Sequence, residues 1–373
     1  MMSQNNLNTA DEICGVDRDT EIFTANGWKK FDKLVDGEMV FSLDVNTRCI
    51  LIHPVVKIEI PHSGTMYQIR NKQTINMCVG LNHKILIWNR YDQVEYKTVK
   101  EIIRLNSIND SALNHSHVER GGIWTGEEPT HFCVPHSDII VLMETWVKYF
   151  GIYLAEGWAR GTKGGKGYGN AVSIKQNEGE RADTIRSIMN MMPFKHRINR
   201  HMEKGLIFTI ANKPLHDYMF QFGDSHHKFI PPEIKALSPR LLNILLDHML
   251  MGDGKNRHHD IRYRHKGALM REYCTVSDRL ADDVCEIMLK IGGGGSVSYR
   301  IGDEYGEYYI EGRKIKYTTS LKIIHEHTAN GGFLNAKYVH VDPISYSGPL
   351  YRAITPSGNF LMRRNFKTCW IGS

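Results

Sequence analysis

The chain has 373 residues, 41% of them hydrophobic and 24% charged, with a formal net charge of +6. That length allows two or three domains with cores of their own, and the mild basic excess permits an anionic partner without requiring one. The seven cysteines are scattered and never in CxxC spacing, which excludes a disulfide framework and a zinc site. The polar start Met1-Met2-Ser3-Gln4 lacks a signal-peptide core and no apolar run is long enough to span a bilayer, so a cytoplasmic location with no membrane partner is expected.

Residues 14–110 read as short strands separated by turns. Glu21–Thr24 leads into Ala25-Asn26-Gly27, where Asn-Gly is a strong hairpin signal. Glu38–Leu43, Pro54–Ile60, Thr65–Arg70 and Lys84–Trp88 follow, rich in β-branched and aromatic residues. Residues 111–137 are polar and irregular and read as a linker.

From about 138 the periodicity changes. An apolar helical run, Trp146–Gly157, ends in Leu154-Ala155-Glu156-Gly157. After it come a basic loop, a strand over Ala171–Ile174 and a helix over Glu178–Met191 with three-and-four apolar spacing. A second run, Leu245–Gly254, ends in Met251-Gly252-Asp253-Gly254. It too leads into a basic segment, a strand over Glu272–Thr275 and a helix over Ser277–Ile291. The repeated order predicts an internal duplication of about a hundred residues. After 335 β character returns in Leu350–Ile354 and Asn359–Arg364. A β-rich module (14–110 and 335–373), preceded by a short flank (1–13), is thus read as interrupted by a duplicated α/β module over 138–330.

The acid before each terminal glycine is unexpected, because a helix C-terminus carries partial negative charge and repels a carboxylate. A matched pair suggests acids kept for chemistry. Gly151 and Ala155 are small and one turn apart, which suits a close helix contact; in the second copy Gly252 is small, but His248 stands where Gly151 does and predicts a bulkier contact. If the helices pair, Glu156 and Asp253 converge and offer oxygen ligands to a hard divalent cation such as Mg²⁺. The expected reaction is metal-assisted phosphodiester hydrolysis.

Basic residues cluster after each acid. The first copy carries Arg160, Lys163, Lys166, Lys175 and Gln176; the second carries Lys255, Arg257, Arg262, Arg264, Lys266 and Arg271. On β-ribbons such side chains contact phosphates and base edges in the major groove, so double-stranded DNA is the expected partner. Any single one is more readily a solvated surface charge. Their clustering beside both acids favours DNA.

The runs ending Leu154-Ala155-Glu156-Gly157 and Met251-Gly252-Asp253-Gly254 resemble the paired LAGLIDADG (dodecapeptide, DOD-type) motifs of homing endonucleases. So do Lys228–Pro239 before the second motif and Thr275–Asp283 after it, and the resemblance covers about 140–330. It implies a monomeric pseudo-dimer of αββαββα type that cuts duplex DNA at a long asymmetric site. Glu156 and Asp253 would be its metal-binding catalytic acids, Mg²⁺ its cofactor, and Lys175 the basic residue assisting near the scissile phosphate.

The flanking segments resemble a Hint (hedgehog/intein) domain. The residues that carry this are Cys14–Ile22, Gly27-Trp28 and Asp36–Asp44 at the start, with Tyr346–Tyr351, Asn359–Asn365 and Trp370-Ile371-Gly372 at the close. The expected fold is therefore α+β, an all-β Hint domain split by the duplicated LAGLIDADG endonuclease, as in a mobile intein of phage or prokaryote type. The resemblance makes Cys14 the nucleophile toward its preceding carbonyl, and His83, in Gly80-Leu81-Asn82-His83, the histidine that assists the acyl shift. The chain departs from the family where Gly80 replaces a threonine, Arg352 an acid or cysteine, and Gly358 a histidine. Ser373 stands where a closing asparagine cyclises. Protein splicing is expected to be impaired, with autocleavage at Cys14 as a residual reaction and DNA cleavage retained. Two further readings stay open: a self-cleaving splicing element with a decayed nuclease, and a DNA-binding module without catalysis.

Overall fold

The computed structural model describes residues 14–71, 74–89, 91, 93–108, 110–113, 116–160, 169–201, 205–256, 271–300, 308–310, 313–315, 321–328, 334, 337 and 339–373. They form a mixed α+β chain, mostly strands. The described residues within Met1–Trp124, Met288–Ser296 and Glu326–Ser373 make one compact unit, and those within Thr125–Ile287 and Val297–His325 the other. No described helix is long and apolar enough to cross a membrane.

In chain order the elements begin with β1 Glu21–Thr24, β2 Gly27–Lys30, β3 Met39–Leu43, β4 Ile50–Pro54, β5 Val56–Arg70, β6 Asn76–Val79, β7 Lys84–Trp88, β8 Val94–Thr98, α1 Val99–Ser107 and β9 His117–Val118. Next come β10 His131–Cys133, β11 Ile140–Leu142, α2 Met143–Glu156, β12 Gly157–Arg160, β13 Ala171–Asn177, α3 Glu180–Met191, β14 His196–His201, β15 Gly205–Ala211, α4 Lys213–Phe220, α5 Pro232–Lys235 and α6 Pro239–Asp253. The rest are β16 Gly254–Asn256, β17 Arg271–Thr275, α7 Asp278–Lys290, β18 Gly293–Arg300, β19 Tyr308–Ile310, β20 Arg313–Ile315, β21 Leu321–Thr328, β22 His340–Ile354, β23 Asn359–Arg364 and β24 Lys367–Gly372.

The first unit is mostly strand and packs around two large apolar clusters and a small third one of Met66, Cys78 and Leu350. Val16, Ile22, Phe31, Ile69, Ile85, Phe360 and Ile371 meet in one; Phe23, Phe41, Leu86 and Trp370 meet in the other. The Asn26-Gly27 turn joins β1 to β2 as expected: Thr24 Oγ1 accepts from the Asn26 N–H (3.1 Å), and Gly27 has φ +100°. β5 and β22 pair from Val56↔Ile354 to Arg70↔His340. The sequence predicts two separate strands there, interrupted at Pro61-His62-Ser63-Gly64. One continuous strand forms, because Pro61 lies opposite Pro349 in a ribbon where alternate N–H groups face outward, and a proline at such a place removes no ladder bond. Helix α1 is absent from the sequence expectation, although Thr98 and Glu101 form a complete capping box at its start.

In the second unit α2 and α6 pack side by side. Ser238 caps α6 by accepting from the Leu241 N–H (3.3 Å), and Pro239 occupies the first turn, where no N–H is needed. Aromatic packing anchors α2, with Trp146 stacked on Phe132 at 4.0 Å and Phe150 edge-on to Phe222 at 4.9 Å. The sheet of the first repeat runs β12-β13-β15-β14; in the second, β17 pairs with β16 and β21.

Candidate active site

The helix pair is closest where its side chains are smallest. A Cβ on Gly151 would lie 2.6 Å from the Leu245 carbonyl oxygen and 3.1 Å from His248 Cβ; one on Gly252 would lie 2.5 Å from Ala155 Cβ. Both glycines are therefore demanded by the contact. The bulk expected of His248 does not spread the helices: its Nδ1 turns back to within 2.7 Å of the Ile244 carbonyl oxygen, leaving mainly its Cβ toward Gly151.

Glu156 and Asp253 are the last residues of α2 and α6. Gly157 and Gly254 follow in extended conformation (φ −98° and −140°), not the left-handed one that commonly ends a helix at glycine. Space is the reason. A Cβ would lie 2.4 Å from Tyr153 Cδ2 at Gly157 and 2.3 Å from Leu250 Cδ2 at Gly254, so only glycine lets each helix turn directly into a strand. The acids stand at these two bends. A Cβ on Gly252 would also be 3.1 Å from Glu156 Oε1, which puts the Glu156 carboxylate against the backbone one residue before Asp253.

Burial raises the Glu156 carboxyl above its usual range, opposed by the charges of Lys228, Arg181 and Lys175. Asp253 keeps one side open to solvent, yet desolvation on its packed side, then the Glu156 charge, push it up to about 7 against the pull of Lys228. Lys228 is 5% exposed, and its Nζ donates to the carbonyls of Tyr153 (2.7 Å), Leu154 (2.8 Å) and Gly157 (2.8 Å). A buried cation thus caps the end of α2 and offsets the dipole that would repel Glu156. Burial lowers Lys228 to about 8 while both acids act to raise it.

Lys228 is itself held in place. Its carbonyl accepts from Ser277 Oγ (2.7 Å), whose oxygen also accepts from the Leu280 N–H (3.1 Å) at the start of α7. Nearby, Asp283 accepts from the Ile230 N–H (2.7 Å) and Lys235 Nζ (2.8 Å). In the sequence Lys228 stands simply within the lead-in to the second motif. A single lysine there carries no local sign of burial.

Two adjacent carboxylates with hard oxygens suit an ion that keeps most of its own waters, as Mg²⁺ does. Among the described residues no group of three or more His, Cys, Asp or Glu side chains is gathered to form a fuller cage. The Glu156 charge is one cause of Asp253's raised pKa, and a cation shared by the two acids relieves that repulsion. The residues fit the ion.

Strand alternation sorts the basic candidates. Val172, Ile174, Phe208 and Ile210 face the helices, whereas Trp158, Ser173, Lys175, Arg197, Asn199 and Thr209 share the opposite face by register. Lys175 is thus on an open face and close enough to act on the Glu156 charge. Gln176, one residue on, lies on the other face opposite Leu206 and does not join that row. Arg197 and Asn199 do, though sequence reasoning missed them; alternation in β14 is the signal that could have found them.

In the second repeat Lys255 is exposed opposite Glu272, which pairs with His325 at 3.2 Å. Arg271 requires a correction. It is 5% exposed, and its Nη1 donates to Asn243 Oδ1 (3.1 Å) and Asp247 Oδ1 (3.2 Å) on α6, because it shares the inward parity of Tyr273. It is a packing residue, not a DNA contact. Arg160 pairs through its backbone with Ala171. Its side chain, and Lys163, Lys166, Arg257, Arg262, Arg264 and Lys266, lie outside the described residues.

Cys14 and His83 meet within the first unit, with Sγ 3.4 Å from Nδ1. His83 is fully buried, and desolvation followed by the Arg352 charge lowers it to about 3, so the ring is neutral. Burial raises the Cys14 thiol, with Arg352 and Lys84 opposing.

No family model matches the chain. A curated protein, the "DNA-directed RNA polymerase subunit beta C-terminal section" of Stigeoclonium helveticum, is 23% identical over 404 residues, which cover 95% of this chain and 36% of that protein. The chain thus spans about a third of that relative's length. Among solved structures, the homing endonuclease I-DmoI in complex with DNA and Mn is 10% identical over 49% of this chain and 89% of its own, with a TM-score of 0.32. The homing endonuclease I-WcaI bound to its DNA recognition sequence is 9% identical over 49% of this chain and 76% of its own, at 0.27. A DnaB intein from Synechocystis sp. PCC 6803 is 11% identical over 29% of this chain and 68% of its own, at 0.21.

Proposed function

We propose that the second unit is a LAGLIDADG-type endonuclease that cuts both strands of DNA at a long asymmetric site. We place it as an insertion in a Hint domain, with 138–330 as the nuclease and 14–110 and 335–373 as the Hint parts. The observation that carries this reading is the seating of the Glu156 carboxylate against Gly252, beside Asp253, at the matched ends of two helices of one chain. Both acids come from one chain, so the nuclease acts as a monomer.

Glu156 and Asp253 would hold a divalent cation, which when bound would supply charge to polarise a phosphate and to lower the pKa of a water. Glu156 and Asp253 supply the oxygens. Lys228 favours their charged forms and fixes the end of α2. Lys175, whose charge reaches Glu156, would offset charge on a phosphate bound there. The face it shares with Arg197, Asn199 and Thr209 carries donors and acceptors suited to base edges. Incubating the full chain and Mg²⁺ with a plasmid library of randomised targets should give linear products with a common cut sequence; no cutting of any member would overturn the reading.

The contact of Cys14 with His83 favours a second activity in the first unit, N-terminal autoprocessing. His83 is neutral with its Nδ1 within reach of the thiol, so it would relay the thiol proton to the Cys14 nitrogen as sulfur adds to the Ile13 carbonyl and the Ile13–Cys14 peptide bond breaks, leaving a thioester and a free Cys14 amine. Arg352 favours the thiolate that forms.

A further inference from the structure

Three polar side chains outside the acid pair are hydrogen-bonded in a row across the sheet of the second repeat. Glu272 on β17 and His325 on β21 stand directly opposite each other, and His325 Nδ1 lies 3.2 Å from Glu272 Oε1. On its other side the ring reaches β18, with Nε2 2.8 Å from Ser298 Oγ. The adjoining pair Tyr273 and Ile324 is fully buried, so by strand alternation Glu272 and His325 lie on the opposite face of the sheet. Exposure rises along the row: the Glu272 side chain is 14% exposed, that of His325 25%, and Ser298 is open to solvent. The fold does not impose this arrangement. Aligned on Gly157 and Gly254, the first repeat has Ser173 and Thr209 where the second has Glu272 and His325.

A carboxylate at Nδ1 selects the neutral tautomer that carries its proton there, which leaves Nε2 to accept from the serine hydroxyl. Acid, imidazole and hydroxyl in that order, with the hydroxyl outermost, is the arrangement that activates a serine. We infer that Ser298 is a nucleophile activated by His325, with Glu272 as the positioning residue, and that it reacts with activated carboxylic esters. A neutral acyl carbon is favoured over a phosphodiester, because the Glu272 charge repels an anion. Oγ adds to the acyl carbon while its proton passes to Nε2; the ester's alkoxide leaves with that proton, and an acyl-Ser298 ester remains. Water then adds to the same carbon, giving a proton to Nε2, and Ser298 departs with that proton as the carboxylic acid is released. This activity is independent of the nuclease reading of Glu156 and Asp253.

The test treats full chains with a fluorophosphonate, which phosphonylates an activated serine with loss of fluoride, and quantifies the labelled peptides by mass spectrometry. Ser107 serves as the internal reference, since it is exposed and its Oγ donates to the Arg104 carbonyl rather than to an imidazole. Ser298 should label about 10²-fold faster than Ser107, and His325→Gln should lose that advantage while melting like wild type. Glu272→Gln keeps an oxygen acceptor for Nδ1 and should fall between the two. With p-nitrophenyl acetate, wild type should release p-nitrophenol faster than Ser298→Ala. Equal labelling of Ser298 and Ser107 in wild type overturns the inference, whether or not the variants fold. Fast labelling that survives in His325→Gln overturns the activation by His325, and ester turnover equal to that of Ser298→Ala overturns the assignment of the substrate.

Discussion

Gly252 and Glu156 divide one volume between them: a Cβ at 252 would stand 2.9 Å from Glu156 Cγ and 3.1 Å from its Oε1. The residue before one acid therefore makes room for the other. Helix packing and the chemistry of the site are a single feature here, since whatever separates α2 from α6 also separates the carboxylates.

Gly252→Ala should accordingly damage both. The added methyl would sit 2.5 Å from Ala155 Cβ and forces the helices apart. Overpacking of this kind costs about 1–3 kcal/mol. A lower melting temperature together with lost cleavage is expected; wild-type melting would contradict the close contact.

Asp253 sets a pH dependence. Its folded pKa of about 7 exceeds its ordinary 3.8, so the folded chain keeps this proton longer than the unfolded one. The contribution to stability is full below the ordinary value and declines as pH rises toward 7. Lys228, lowered from 10.5 to about 8, acts with the opposite sign at higher pH, its penalty fading as pH rises from 8 toward 10.5. Denaturation of wild type and Asp253→Asn, each at about pH 5 and about pH 8, should show wild type losing stability relative to the variant at the higher pH. A parallel response would contradict the raised pKa.

Lys228→Met removes the donor to the carbonyls of Tyr153, Leu154 and Gly157. The Tyr153 carbonyl still accepts from the Gly157 N–H, so the loss falls on Leu154 and Gly157; a buried acceptor left unpaired costs about 1–3 kcal/mol, and the variant should melt below wild type. Unchanged melting would show that these carbonyls find other partners.

The parts of the site that were legible in the sequence are those carried by local spacing. Glu156-Gly157 and Asp253-Gly254 stand out because an acid at a helix C-terminus is electrostatically odd, and the repeat order doubles the signal. Lys228 was not legible, since its burial depends on the end of α2 and on Ser277 at the start of α7, both distant in sequence. Arg271 reads as a surface charge until the strand is paired, and only then does it share parity with Tyr273. The fold shows the same divide. Asn26-Gly27 announces its hairpin, whereas β23 and β24 turn through Asn365 and Phe366 at φ 47° and 59°, with no glycine to mark the place.

The Cys14–His83 contact gives a prediction independent of DNA. Purified protein treated with dithiothreitol should lose residues 1–13, read by mass spectrometry, and Cys14→Ala and His83→Ala should each prevent the loss. Persistence of the full mass in wild type would rule out a live thiol.

As the two halves of one metal-dependent cutting site, Glu156 and Asp253 should each be indispensable. Once a target is recovered, cleavage of that DNA by wild type, Glu156→Gln and Asp253→Asn in Mg²⁺ tests it most directly. Both variants should bind the target yet fail to cut both strands, whereas undiminished double-strand cleavage by Asp253→Asn would contradict the account.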